Sequence, residues 1–166
     1  MGVAAVLRPG VPMGFIDGVP FVAALGAAEA MGARVAWPHD VVGENGEPLA
    51  HVATRAGYDD EGIYVTCELE GDAAGEAAMD AAAARVDAWA AKVAAGSKAG
   101  PLAAVLEEYF DACLLMGKPV AVVRNDGTVA CKGTLAGMDI WGRVTVKLVD
   151  GRDVEIAPGQ ASVRAL

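Results

Sequence analysis

Residues that usually carry covalent or metal chemistry are scarce in this 166-residue chain, which holds two histidines, two serines and three cysteines. Cys67, Cys113 and Cys131 lie far apart and have no histidine or second cysteine at ligand spacing, so neither a disulfide framework nor a zinc site is predicted. Ser97 and Ser162 stand outside any Gly-x-Ser-x-Gly motif, which excludes the usual serine hydrolase arrangement. We therefore expect ordinary buried thiols, no metal and no serine nucleophile.

Basic residues are also few, with 13 Lys and Arg against 22 Asp and Glu and a formal net charge of −9. An acidic surface repels phosphate backbones and anionic lipid, so no nucleic-acid partner is expected. The imbalance is uneven, because residues 1–118 hold 7 basic and 17 acidic residues whereas residues 119–166 hold 6 and 5. This difference predicts two bodies, divided near residue 118.

No stretch of the sequence reaches the roughly 20 uninterrupted apolar residues of a membrane span, and residues 1–9 lack a basic segment followed by a long apolar one. We therefore expect a cytoplasmic protein without a membrane partner. Aromatic residues make up only 5% of the chain. The predicted core consists of small residues with Trp37, Trp89 and Trp141 as large anchors.

Hydrophobic periodicity predicts helices and strands within the first 118 residues. Met79, Val86 and Val93 recur at intervals of seven, which is typical of one face of a long helix. The predicted helices cover residues 20–31, 72–95 and 101–116. Short segments bounded by turn residues predict strands over residues 3–7, 34–37, 49–56 and 62–69.

After Pro119 the hydrophobic period changes from 3.6 to 2. Val144, Val146 and Leu148 alternate with polar residues, and Asn-Asp-Gly and Asp-Gly sequences mark turns. Four or five short strands in this length predict a small barrel over residues 119–166. The expected fold class is thus α+β, a mixed sheet with helices followed by a small β-barrel.

Several segments, in order, resemble the biotin protein ligases of the biotin/lipoate ligase family. The sequence Ala-Trp-Pro-His-Asp at residues 36–40 is similar to the family signature Lys-Trp-Pro-Asn-Asp, and residues 48–53 follow where the family has a Lys and a Gly-Ile-Leu run. Residues 133–139 and 150–164 resemble the small SH3-like barrel of the ligases. The resemblance implies a ligase-like catalytic unit over residues 1–118 and an SH3-like module over residues 119–166.

The departures from the family pattern imply loss of catalysis. The resemblance assigns a Gly-Arg-Gly-Arg-type nucleotide loop to a segment before this sequence, so the chain is expected to be truncated at its N-terminus. Ala36 and Pro48 occupy the two lysine positions, and neither supplies the positive charge that stabilises an adenylate. Residues 64–69 replace a glycine-rich strand, so side chains stand where bare backbone approaches a ligand. We accordingly expect no catalytic residue and no cofactor.

The resemblance leaves three family positions as candidate ligand-binding residues: Trp37, Asp40 and Arg164. Arg164 matches an arginine that approaches the nucleotide, although an arginine at the end of a strand is often only a solvated group. His39 and His51 could form an acid–base or metal pair with Asp40, but a structural role is favoured, with Asp40 capping its local turn.

The function predicted from the sequence is a catalytically inactive, biotin protein ligase-like pseudoenzyme that acts through protein–protein association. One alternative is a subunit of a split biotin/lipoate-type ligase whose other half is a separate chain. Another is a non-catalytic sensor of a biotin-like ligand. The expected partner is a second copy or a different protein, bound through a sheet edge or an apolar face near residues 49–56 and 62–69.

Overall fold

The computed structural model describes residues 2–166 and has the α+β architecture that the sequence predicts. Within these residues it contains two five-stranded sheets, three α-helices and one short 3₁₀ helix. The first sheet and the helices occupy the N-terminal part of the chain, and the second sheet forms the C-terminal module.

The first sheet has the strand order β1-β5-β4-β3-β2. Its strands are β1 Gly2–Leu7, β2 Arg34–Ala36, β3 Asp40–Val42, β4 Pro48–Asp59 and β5 Gly62–Glu70. All neighbouring strands are antiparallel, so the sheet is antiparallel where the sequence predicts a mixed one. An isolated parallel bridge joins Val35 to Cys113, which lies outside the strands. The short strand β3 lies outside the strands predicted from the sequence.

The helices cover one face of this sheet. The 3₁₀ helix spans Met13–Gly18, and the α-helices are α1 Val19–Met31, α2 Glu76–Ala94 and α3 Leu106–Ala112. Helix α1 is buried from Val19 to Ala28 because it lies between β4 and α2. The helical stretch Met13–Met31 is long and apolar enough to cross a membrane, but 67% of its most apolar part is buried inside the fold. Packing inside the fold accounts for its composition.

The third predicted helix, residues 101–116, is wrong in extent, because only Leu106–Ala112 is α-helical. Hydrogen bonds to distant residues hold both flanks in other conformations. The Trp89 indole donates to the Pro101 carbonyl at 2.7 Å, and the Leu102 N–H donates to the Ile140 carbonyl at 2.9 Å. At the other end the Leu114 N–H donates to the Val35 carbonyl at 2.9 Å. These contacts override an amphipathic pattern that is correct as a burial pattern.

The C-terminal sheet has the antiparallel order β10-β6-β7-β8-β9. Its strands are β6 Pro119–Arg124, β7 Val129–Met138, β8 Val144–Leu148, β9 Asp153–Ile156 and β10 Ala161–Ala165. The five strands match the predicted β-module. Buried residues of this sheet belong to the same hydrophobic cluster as the helices and the first sheet, so the division at residue 118 stays a prediction about folding units.

Candidate functional site

The face of the first sheet opposite the helices carries polar side chains. Along β4 and β5 buried residues alternate with more exposed ones, which places His51, Arg55, Tyr64, Thr66 and Glu68 on one face. We call these five residues the open face. The prediction of an uncovered apolar face is therefore wrong, because the strands nearest this surface present charges and hydroxyl groups.

Tyr64 shows how side chains occupy this face. Its ring lies across Gly57, where an added Cβ would overlap it, and the Arg8 guanidinium lies 5.6 Å from the ring centroid. Arg8 also donates to Asp59 through Nη1 at 3.0 Å. This ion pair holds the pKa of Asp59 below its usual value, chiefly through the hydrogen bond from Arg8. The Tyr64 end of the open face is thus covered by a local network of side chains.

Trp37 is an internal anchor in this structure. Its side chain is 3% exposed, and its indole N–H donates to the carbonyl of Gly142 in the β7–β8 turn at 2.8 Å. The same glycine packs against the Phe21 ring, which an added Cβ would approach to 2.6 Å. Trp37 therefore joins the C-terminal module to the N-terminal part of the molecule.

Asp40, His51 and His39 come together, whereas the sequence favours separate structural roles for them. Asp40 Oδ1 contacts His51 Nδ1 across strands β3 and β4, and no cap of its local turn by Asp40 is observed among the described residues. The His39 and His51 ring centroids are 5.5 Å apart. Among residues 2–166 no group of three His, Cys, Asp or Glu side chains is arranged to hold a metal.

His39 is half-buried, between the rings of Phe21 and His51. Its Nδ1 has no hydrogen-bond partner within the described part of the chain, and its ring packs edge-on against Phe21 at 5.6 Å between centroids. Burial lowers the pKa of His39 below its usual value of 6.5, and the neighbouring His51 lowers it further. The imidazole of His39 is therefore held towards its neutral form.

Arg164 lies apart from Trp37 and Asp40. It stands on β10 and lines a cavity of about 400 Å³ together with Ala36, Lys118 and Leu114. The two positions that the resemblance links to the nucleotide, 36 and 164, thus share one cavity. Lys118 also lines this cavity, although the sequence gives no signal for that role.

A larger cavity, of about 700 Å³, lies between the helical part and the C-terminal module. We call it the inter-unit cleft, and its lining includes Asp17, Phe21, His39, Trp141 and Arg143. Trp141 is 49% exposed, so its predicted role as a core anchor is wrong. The sequence gives no signal for this cleft.

The cysteines are consistent with structural thiols. Cys67 and Cys113 are buried, whereas Cys131 is only half-buried. Burial raises the pKa of Cys67 to about 11 and also raises that of Cys113, so both thiols resist ionisation.

Comparison with solved structures shows the fold. A biotin protein ligase from Aquifex aeolicus in complex with biotin and ATP has a TM-score of 0.71 and 16% sequence identity, covering 99% of this chain and 78% of that one. The apo structure of the ligase from the same organism has a TM-score of 0.68 at 16% identity, covering 99% and 82%. No protein-family model matches the sequence, and neither does any curated protein. The chain has a biotin protein ligase-like fold.

Proposed function

We propose that this chain is a non-catalytic biotin protein ligase-like protein that works by association with a second copy of itself through strand β1. The observation that carries the proposal is the outer edge of β1, which is unpaired among residues 2–166 and bears no charged residue. This edge lies beside a sheet face that is filled with side chains.

The absence of ligase chemistry is supported by the residues on the sheet. Ala36 and Pro48 stand at the lysine positions that the resemblance implies, and neither donates a side-chain hydrogen bond. Tyr64, Thr66 and Glu68 occupy the positions of the glycine-rich strand and project from the open face. Biotin and ATP, which the Aquifex aeolicus ligase binds, would meet these side chains instead of bare backbone.

Strand β1 differs from the other three edge strands of the two sheets among residues 2–166. Strand β2 carries Arg34, β9 carries Asp153 and Glu155, and β10 carries Arg164, whereas β1 reads Gly-Val-Ala-Ala-Val-Leu. Charges at sheet edges oppose strand addition, and β1 has neither a charge nor a proline to do so. Val6 on this strand is 62% exposed.

A second copy can occupy this edge in spite of the net charge of the chain. Two chains of net charge −9 repel each other, so they can approach closely only where charge is absent. Strand β1 itself carries no charge, although Glu68 and Glu70 lie beside it on β5. Antiparallel pairing of two β1 strands about a two-fold axis would extend the sheet and leave two uncharged strands between these carboxylates and their copies.

The association is tested by light scattering of the purified chain across a dilution series. We expect a concentration-dependent dimer that Ala4→Lys, in the centre of β1, abolishes. The matched control is Ala30→Lys, which adds the same charge on an exposed position of α1. A monomer at all concentrations, or equal effects of the two variants, would contradict the proposal.

The loss of catalysis has its own assay. Biotin-dependent exchange of pyrophosphate into ATP should stay at background for the isolated chain and for the Ala36→Lys, Pro48→Lys double variant. Exchange by the isolated chain would refute the pseudoenzyme, and exchange only after mixing with a separate ligase half would favour the split-ligase alternative. The sensor alternative is supported by the cavity shared by Ala36 and Arg164, and direct biotin binding without exchange would favour it.

A further inference from the structure

The inter-unit cleft has two walls that come from different parts of the chain. Asp17 and Phe21 lie on the helical wall, and Trp141 and Arg143 lie on the opposite wall in the β7–β8 turn. His39 contributes to the lining between them. The volume of about 700 Å³ falls within the range of pockets that bind small molecules.

The turn that carries Trp141 and Arg143 is held rigidly. Asp139 Oδ1 accepts hydrogen bonds from the backbone N–H groups of Trp141 at 2.9 Å and Arg143 at 3.0 Å. The carbonyls of Ile140 and Gly142 accept from Leu102 and Trp37, as described above. The turn is therefore fixed to the rest of the molecule before any ligand binds, which lowers the entropic cost of binding.

The side chain of Trp141 is exposed, although the backbone of its turn is fixed by hydrogen bonds. The other two tryptophans are 3% and 1% exposed, whereas Trp141 is 49% exposed at the cleft. An indole held at the wall of a cavity offers a flat apolar surface on which a planar ring can stack.

Opposite charges face the cleft from its two walls. Arg143 uses Nε for Asp139 at 2.7 Å, and its two terminal Nη groups make no hydrogen bond within residues 2–166. The Asp17 carboxylate is exposed to solvent at the cleft and has neither a hydrogen bond nor an ion pair among the described residues. A guanidinium binds carboxylates well, and a carboxylate accepts hydrogen bonds from an ammonium group.

We propose that the inter-unit cleft binds a free aromatic α-amino acid. Its carboxylate binds the Nη groups of Arg143, its ammonium group binds Asp17, and its ring stacks on Trp141. The proposal is independent of dimer formation, because the cleft is formed within one chain and contains no residue of β1.

The test is titration of the intact chain with L-phenylalanine, followed by tryptophan fluorescence and by isothermal titration calorimetry. We expect saturable binding that changes the emission of Trp141, because the other two indoles are buried. Trp141→Phe should remove most of the fluorescence change, while calorimetry still detects binding. 3-Phenylpropionate lacks the ammonium group, phenethylamine lacks the carboxylate and L-leucine lacks the ring, so each should bind more weakly than L-phenylalanine.

Two variants test the charged contacts. Asp17→Asn and Arg143→Met should each weaken L-phenylalanine binding by roughly tenfold or more, the loss expected for a hydrogen bond to a charged group. Arg152→Met is the matched control, because Arg152 makes the same Nε contact with Asp150, also at 2.7 Å, in a turn outside the cleft. Circular dichroism would verify that all three variants fold.

Three results would overturn the proposal. The first is the absence of saturable binding by calorimetry up to the solubility limit of L-phenylalanine. The second is equal binding of 3-phenylpropionate or phenethylamine, which would show that one of the two charged contacts does not exist. The third is an effect of Arg152→Met as large as that of Arg143→Met.

Discussion

At the scale of single residues, His39 is half-buried and has one buried ring nitrogen without a hydrogen-bond partner among the described residues. Protonation would place a positive charge on a partly desolvated ring, beside the second imidazole of His51. Phe21 packs on the same ring and offers no hydrogen bond. The Asp40 carboxylate partly compensates, but its contact is with His51. The neutral form of His39 therefore fits the folded protein best.

This arrangement predicts a stability that depends on pH near neutrality. Because the pKa of His39 in the folded chain is below its usual value of 6.5, the unfolded chain binds this proton more tightly. The contribution of His39 to the free energy of unfolding is complete above pH 6.5 and is lost as the pH falls through the pKa of the folded chain. The loss is about 1.4 kcal/mol for each unit by which the folded and unfolded pKa values differ. Urea unfolding near pH 7 and near pH 5 should show a smaller loss in His39→Gln than in the unmodified chain.

Three carboxylates with shifted pKa values do not confound this measurement. Asp59, Asp126 and Asp139 have pKa values below the usual 3.8, so they protonate at lower pH than the interval studied. An equal loss of unfolding free energy in His39→Gln and the unmodified chain would show that His39 does not titrate differently on folding.

Single-residue roles were only partly predictable from the sequence. The positions of Trp37 and Trp141 look alike as isolated large aromatics in a sequence poor in such residues, yet one is buried and the other exposed. The difference arises from the contact between Trp37 and Gly142, which are 105 residues apart in sequence. No local pattern contains that pairing, so the cleft could not be predicted either.

At the scale of secondary-structure elements, the close crossing of α1 and α2 depends on Gly26. A Cβ at this position would lie 2.6 Å from the Ala81 carbonyl oxygen and 2.9 Å from the Ala82 Cα, both backbone atoms of α2. Backbone atoms cannot rotate away, so any larger residue forces the two helices apart. This contact explains why a glycine stands in the middle of a buried helix.

We predict that Gly26→Ala lowers the free energy of unfolding by about 1–2 kcal/mol. Alanine gains about 1 kcal/mol in helix propensity, but overpacking in a closely packed interior costs about 1–3 kcal/mol and the backbone clash lies at the upper end of that range. Gly14→Ala is the control, because nothing lies within 4 Å of its added Cβ. Urea unfolding should leave that variant within about 0.5 kcal/mol of the unmodified chain. A stabilised Gly26→Ala would show that α1 and α2 separate easily.

Element prediction from the sequence succeeded where local periodicity and burial agree. Residues 20–31 and 72–95 were predicted close to the observed α1 and α2, and the strands of the β4–β5 hairpin were found at the correct places. It failed for residues 101–116, where the pattern of buried residues was right but hydrogen bonds from Trp89 and to Ile140 fix a different backbone. The hydrophobic period of a segment can be read from neighbouring residues, whereas its hydrogen-bond partners can lie far away in the sequence.

At the scale of the whole molecule, the C-terminal module and the helical part share one core. Leu135, Val144 and Val146 of the module are fully buried and belong to the same cluster as α1 and α2. Backbone hydrogen bonds join Gly117 to Leu135 at 2.7 Å, and the β7–β8 turn is anchored through Gly142. Removing either part would expose apolar surface of the other.

This shared core predicts that the chain unfolds as one cooperative unit. Residues 119–166 number 48, a length at which a domain on its own buries too little surface for more than marginal stability. Calorimetry of the intact chain should give one transition with equal calorimetric and van't Hoff enthalpies.

Trp37→Phe should lower the midpoint of that transition without splitting it, because the substitution removes a buried hydrogen bond between the two parts. The loss is worth about 1–3 kcal/mol when the acceptor is left unsatisfied. Trp141→Phe is the matched control and should leave the midpoint nearly unchanged, since the side chain is 49% exposed. A separate peptide of residues 119–166 should lack a cooperative transition. If that peptide unfolded cooperatively, or if Trp37→Phe produced two transitions, the two parts would be domains that fold independently of each other.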